Sequence, residues 1–132
     1  MAKPVCVVTG VGPGTGSACV RRFSAEYQVA MIARTAERLQ ALAADVPDTH
    51  PFSCDVTDTE ALAATVEQIR TDLGAPQVLV HNAVGGAFGS FLEIDPAVLE
   101  ANFQVNTMSL LHLGRMLAPA MIERGSGSIV VT

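Results

Sequence analysis

The chain has 132 residues and a mass of 13.8 kDa, room for one domain of ordinary size. Hydrophobic residues make up 49% and charged residues 16%, with a mean hydropathy of +0.37. That composition supplies a core and excludes a disordered chain, which needs low hydrophobicity and high net charge. Eight Lys and Arg against thirteen Asp and Glu leave a charge of −5, which argues against a nucleic-acid or anionic-membrane surface. With no Trp and one Tyr, there is little to stack single-stranded bases on. Apolar runs such as 29–33 fall far short of the ~18 residues that a membrane span needs.

In chain order, Met1-Ala2-Lys3-Pro4 leads straight into Val5-Cys6-Val7-Val8, a short buried-strand run with no signal-peptide pattern before it. Glycines 10, 12, 14 and 16 follow, then a helix-like stretch over 17–27. Residues 29–33 read as a second strand. Thr35 can cap a helix whose Leu39, Leu42 and Val46 share one stripe, and Pro51-Phe52-Ser53-Cys54 is a weak third strand ending at Asp55-Val56. Thr57-Asp58-Thr59-Glu60 has the capping-box pattern, and Leu62, Val66, Ile69 and Leu73 recur behind it at helical spacing until Gly74 and Pro76. Val78-Leu79-Val80 is a fourth strand, followed by a glycine-rich stretch over 84–90. Asp95-Pro96 reads as cap and first-turn proline, opening a helix through Phe103. A longer helix covers 105–123, and Gly125-Ser126-Gly127 closes it before a fifth strand over 128–132.

Strand and helix thus alternate, and the strands are uninterrupted apolar runs. Such strands are buried on both faces, which predicts one α/β domain over residues 1–132, a doubly wound parallel sheet with helices on each side. The helix over 105–123 is apolar at nearly every azimuth. One side can meet the sheet and the other needs a further helix or a partner chain. Cys6, Cys19 and Cys54 are odd in number and sit in apolar segments, the usage of buried thiols in a reducing compartment; the expected location is cytoplasmic. His50, His81 and His112 lack the spacing of metal ligands, so no metal site is expected.

In an open parallel sheet, ligands bind beyond the carboxyl ends of the strands, and four unusual features fall there: the glycine loop, Ala33-Arg34, Asp55-Val56 and His81-Asn82-Ala83. A loop that brings its backbone against phosphate and then starts a helix needs residues without Cβ. A P-loop is excluded, because the only lysine is Lys3, upstream. The G-x-G-x-x-G dinucleotide pattern fails, because Thr15 stands where its third glycine should be. Gly10-Val11-Gly12-Pro13-Gly14 matches the G-x-G-x-G of a methyltransferase loop, which stands as a rival reading. A cation at Arg34 opposes the dipole of the helix behind it. It suits a 2′-phosphate, where a methyltransferase would want an acid for the ribose hydroxyls.

Thr9-Gly10-x-x-x-Gly14-x-Gly16, Asp55 and Asn82-Ala83 together resemble the short-chain dehydrogenase/reductase family, with its T-G-x-x-x-G-x-G, an Asp after strand three and N-N-A-G after strand four. The resemblance runs the length of the chain. It implies a Rossmann fold, truncated here after the fifth strand, and an oxidoreductase moving hydride between nicotinamide and a small carbonyl or alcohol substrate. It places Gly10, Gly14 and Gly16 under the cofactor phosphates, Asp55 on the adenine amine and Asn82-Ala83 along the ribose. Arg34 beside Ala33 implies NADP, with NAD the second choice. The cofactor set is then Thr9, Gly10, Gly12, Gly14, Thr15, Gly16, Arg34, Asp55, Val56, Asn82 and Ala83. Asn106 takes the place of the family's catalytic asparagine, and the 105–123 helix the place of a homo-oligomer contact. Two residues depart from the pattern: His81 replaces the first Asn, and β-branched Val84, which resists a positive φ, replaces the Gly. The family's Tyr-x-x-x-Lys pair is absent, since the only tyrosine is Tyr27, followed four residues on by Met31. The resemblance places that pair after strand five, so these 132 residues alone are expected to transfer no hydride and to be poorly stable. The alternative class is a nucleotide-binding module without activity.

Overall fold

Val5, Cys6, Val7 and Val8 each have a Cβ that alternates between the two faces of an extended chain, and a strand made of them is stable only with a core on both sides. In the computed structural model, which describes residues 2–132, that is where they lie. Strand β1 (Val5–Thr9) is buried at every position. Val5 and Val7 join one hydrophobic cluster, and Cys6 and Val8 join the other.

The remaining elements wind around it: α1 (Thr15–Phe23), β2 (Gln28–Ala33), α2 (Ala36–Asp45), β3 (Thr49–Ser53), α3 (Thr59–Asp72), β4 (Pro76–His81), α4 (Pro96–Phe103), a π-helical turn (Gln104–Met108), α5 (Ser109–Arg124) and β5 (Ser128–Val131). The five strands form one sheet in the order β3-β2-β1-β4-β5, and every pairing is parallel. Val20 of α1 and Leu39 of α2 pack on Cys6, Val8, Met31 and Val80. On the opposite face, Leu62, Val66 and Ile69 of α3 and Leu113, Leu117 and Met121 of α5 cover Val7, Ile32 and Leu79. Each such side chain contributes about 1.5–3 kcal/mol when fully buried. The doubly wound sheet expected from the sequence is therefore observed. Strand order reverses between β1 and β4, the point at which the loops of such a sheet part to leave a crevice.

Several boundaries differ from those read in the sequence. Helix α1 starts at Thr15, with Gly14 as its N-cap, and ends at Phe23. Strand β3 occupies 49–53 rather than 51–54 and contains Pro51, which an edge strand tolerates. Pro76 opens β4 instead of only ending α3. The cap of α3 is Asp58, whose carboxylate accepts from the Ala61 N–H at 3.1 Å. Thr57 is diverted: its hydroxyl donates to Asp55. The helices expected to break near Gln104 are joined by the π-turn. Asp95 caps α4 as expected, and Gly125 ends α5 with φ +77°.

Helix α5 buries a single stripe, Ser109, Leu113, Leu117 and Met121, while Leu111 and Ile122 are exposed. Strand β5 is exposed along its length as a sheet edge. Val84 takes no positive φ; Asp48 is the one non-glycine residue that does among those described. All three cysteines are free, and burial pushes the Cys6 thiol up to about 12. No helix among the described residues is long and apolar enough to cross a membrane.

Replacing Asp58 with Ala removes the one side-chain cap of α3. It is expected to lower stability by about 1 kcal/mol, within the range for lost N-caps, as read from the urea midpoint at unchanged m-value.

Candidate functional site

The glycine loop joins β1 to α1, and its four glycines have two different causes. Gly10 has φ +66°, and a Cβ there would fall on the Asn82 carbonyl and lie 2.6 Å from the Ala83 nitrogen. A Cβ on Gly16 would collide with the Gly10 carbonyl and lie 2.8 Å from Val11 Cα. These two are demanded by packing within the protein. Around Gly12 and Gly14 a Cβ would meet nothing within 4 Å, so there the bare backbone faces open space. Gly14 is the N-cap of α1, with no side-chain cap and no acid in the first turn. The unpaired N–H groups of that turn and the positive end of the helix dipole are left for an anion from outside. Ser17 fixes the loop by bonding the Gly12 carbonyl with both its N–H and its hydroxyl.

Thr9, fully buried at the end of β1, ties this loop to β4. Its hydroxyl accepts from the N–H groups of Asn82 and Ala83, each at 3.1 Å, and lies 2.9 Å from His81 Nδ1. Asn82 then uses its whole side chain: Nδ2 donates to the Gly10 carbonyl at 3.0 Å, and Oδ1 accepts from the Thr132 hydroxyl at 2.6 Å. Thr9 thus acts from beneath the floor of the site and not on its surface.

At the ends of β2 and β3, Asp55 Oδ1 accepts from the Thr57 N–H at 3.0 Å and the Thr57 hydroxyl at 2.8 Å. These bonds, with some help from the Arg34 charge, hold its carboxyl below the usual carboxylate range. The second carboxylate oxygen has no hydrogen-bond partner among the described residues. Val56 is buried and packs into the core beside α3. Arg34 is exposed. Among the described residues Lys3, Arg21, Arg22 and Arg70 are each engaged by a carboxylate; Arg34, Arg38, Arg115 and Arg124 are not, and of these four only Arg34 and Arg38 lie beside the glycine loop.

After β4 the chain turns toward α5, and Asn106 in the π-turn clasps it. Its Oδ1 accepts from the Gly85 N–H at 2.8 Å, and its Nδ2 donates to the Gly85 carbonyl at 3.0 Å. The Ser109 N–H bonds back five residues to Gln104, and the Ser109 hydroxyl takes the Val105 carbonyl. Such one-turn π segments occur often at functional sites.

These loops enclose a cavity of about 890 Å³, within the range of small-molecule sites. Gly10, Gly12, Gly14, Thr15 and Gly16 line one side. Arg34, Asp55 and Val56 form the end toward β2 and β3, and Asn82 and Ala83 the wall toward β4. Thr9 and Asn106, both expected in the site, do not line it: one is fully buried and the other spends its amide on Gly85. Arg38, Thr35 and Asn102 line it without having been named as site residues from the sequence. Arg38 carries a legible signal, since it lies in the first turn of α2, four residues after Arg34. No group of three or more His, Cys, Asp or Glu comes together in metal-binding fashion among the described residues.

The family profile described as short chain dehydrogenase matches residues 4–132. Mouse (Mus musculus) L-xylulose reductase is 32% identical over 126 residues, covering 95% of this chain and 50% of its own length. A metagenomic short-chain oxidoreductase in complex with NADP superposes with a TM-score of 0.91 at 33% identity, over 98% of this chain and 62% of its own. L-Sorbose reductase from Gluconobacter frateurii, complexed with NADPH and L-sorbose, gives 0.90 at 28% identity, over 99% and 52%. The chain spans about half the length of the curated relatives it matches.

The two kinds of glycine separate by substitution. Gly16→Ala is expected to cost about 1–3 kcal/mol or more through forced overpacking, whereas Gly12→Ala is expected to stay within about 0.5 kcal/mol of the parent. Thermal and urea unfolding of both variants check this.

Proposed function

Since the chain belongs to the short-chain dehydrogenase family, we propose that it forms the cofactor-binding part of an NADP-dependent oxidoreductase acting on a small carbonyl or alcohol substrate. The observation that carries the choice of cofactor is the pair Arg34 and Arg38. Both line the cavity at the end of β2, and neither has a carboxylate partner among the described residues. An arginine left unpaired in a chain of net charge −5, at the position where an acid would bind a ribose diol, is suited to a 2′-phosphate. The names of two solved relatives, one with NADP and one with NADPH, support the same reading.

The remaining residues have roles that follow from their bonds. The open backbone at Gly12 and Gly14, with the N-terminus of α1, accepts the pyrophosphate; Thr15 and Gly16 supply N–H groups of the first turn. Asp55 offers its free carboxylate oxygen to the adenine amine, held in orientation by Thr57, with Val56 beside it. Asn82 and Ala83 present the wall along the ribose. Asn106 is a positioning residue, since its amide holds the Gly85 backbone and its neighbours in the π-turn, Gln104 and Val105, line the cavity. When bound, the nicotinamide supplies or accepts the hydride. Tyr27 is not its proton partner: it stacks near Phe23, ring centroids 5.7 Å apart, just before β2 and away from the strand ends that bear the site. The exposed Leu111 and Ile122 of α5 make that helix the surface for pairing with a second copy. A cytoplasmic location fits the free, partly or fully buried thiols.

Arg34→Ala is expected to weaken NADPH binding by roughly tenfold to over a hundredfold, the loss of a charge-assisted bond worth ~1.5–3 kcal/mol, and to leave NADH nearly unchanged. Fluorescence titration of the intact protein with both cofactors is the measurement, and equal affinities before substitution contradict the proposal. Asp55→Ala is expected to weaken both cofactors about equally, because adenine is common to them. Normal binding with a lower melting temperature would instead assign Asp55 only to the loop before α3.

A further inference from the structure

His81 stands where the family pattern has an asparagine, and its bonds determine its proton. Both lone pairs of the Thr9 hydroxyl are taken by the Asn82 and Ala83 N–H groups, so its one hydrogen must point at His81 Nδ1, 2.9 Å away. Nδ1 is therefore an acceptor and carries no proton. On the other side of the ring, Nε2 lies 3.2 Å from Ser109 Oγ. The Ser109 hydrogen is already given to the Val105 carbonyl, so Ser109 can only accept. Nε2 thus carries the proton and donates it. The chain of bonds runs one way, from Asn82 and Ala83 through Thr9, His81 and Ser109 to Val105, and neither hydroxyl has a second hydrogen with which to reverse it.

We infer that His81 is a positioning residue for nucleotide binding: as a neutral imidazole with its proton on Nε2, it locks the Asn82-Ala83 wall of the cavity to the π-turn that carries Asn106. The inference rests on the cavity being the nucleotide site. Asparagine offers the same acceptor to Thr9 but is shorter and does not titrate. A histidine spans both partners and makes the lock depend on its protonation. An imidazolium would present a second N–H to Thr9. The hydroxyl could then accept it only by releasing Asn82 or Ala83, which loosens the wall.

The surroundings favour the neutral ring. His81 is 2% exposed. Burial lowers its pKa below the usual 6.5, against the opposing pull of the Val105 and Asn106 carbonyls. Among the described residues no charged group contributes to that shift: β1 brings Thr9, the π-turn Val105 and Asn106, β5 Val131 and Thr132, and α5 Ser109. A depressed pKa means that the stabilisation is fully present above pH 6.5 and is lost as pH falls through the lower, folded-state value.

The test uses the intact protein and two readouts. Imidazole 15N NMR at pH 7.5, with the His81 signals assigned by their loss in His81→Asn, should show one tautomer protonated on Nε2. A proton on Nδ1, or averaging between tautomers, overturns the inference whether or not nucleotide binds. Calorimetric titration with ADP-ribose, which has no 2′-phosphate to titrate, should then show affinity constant above pH 6.5 and falling on the order of three- to tenfold toward pH 5, the loss of about one hydrogen bond. His81→Asn should remove that fall, and the same fall in the variant overturns the inference. If ADP-ribose does not bind at pH 7.5, the cofactor reading fails while the NMR result still decides the tautomer. Should His81→Asn not fold, the Asn82 and Ala83 amide signals of the parent protein replace it: they must shift with the His81 midpoint, and amides indifferent to it overturn the inference.

Discussion

The close approach of β1 to β4 at their carboxyl ends is the constraint on which the rest of the site depends. Gly10 sits so near the Asn82 carbonyl that no side chain fits between them, and the Thr9 hydroxyl clamps both following N–H groups of the neighbouring strand. Because strand order reverses at this pair, the chain leaves β1 toward one face and β4 toward the other. The glycine loop and the Asn82-Ala83 segment then become opposite walls of one crevice. Without the clamp the two walls would be separate loops, and the free backbone at Gly12 and Gly14 would face solvent with nothing to define a site.

Electrostatics then act on that geometry. The anion-seeking end of α1 lacks any acid of its own, and Asp55 is kept ionised by Thr57 and not by a buried cation. Arg34 and Arg38 have no carboxylate partner among the described residues. An acidic protein that leaves two arginines without a carboxylate partner beside its main cavity has a local preference for anions that its net charge conceals. Most of the exposed apolar residues lie elsewhere, in the loop after β4 (Phe88, Phe91 and Leu92), on α4 and α5, and along β5.

Much of this was legible in the sequence because it depends on local pattern. Residues 5–8 and 29–33, the bodies of β1 and β2, are continuous apolar runs, and Asp95-Pro96 and Gly125 mark helix ends by chemistry that needs no tertiary partner. The errors came where two residues compete for one role. Thr57 and Asp58 can each cap α3, and Asp55 decides the matter by taking the Thr57 hydroxyl. The π-turn was hidden because its extra residue changes a register set by Ser109 and Asn106, each of which bonds across space. Asn106 was assigned by position alone, and the bonds of its amide to Gly85 lie 21 residues apart in sequence. His81 appeared only as a departure from a pattern, since its meaning depends on Thr9 and Ser109, 72 and 28 residues away. Arg38 was missed although its spacing from Arg34 was in plain view.

The most direct test of the central claim is a crystal structure of the intact protein with NADPH. The account places the pyrophosphate over Gly12, Gly14 and the first turn of α1, with the 2′-phosphate in hydrogen-bond contact with Arg34 or Arg38 and adenine against Asp55. A nucleotide bound with its pyrophosphate away from the α1 N-terminus, or with its 2′-phosphate free of both arginines, would contradict it.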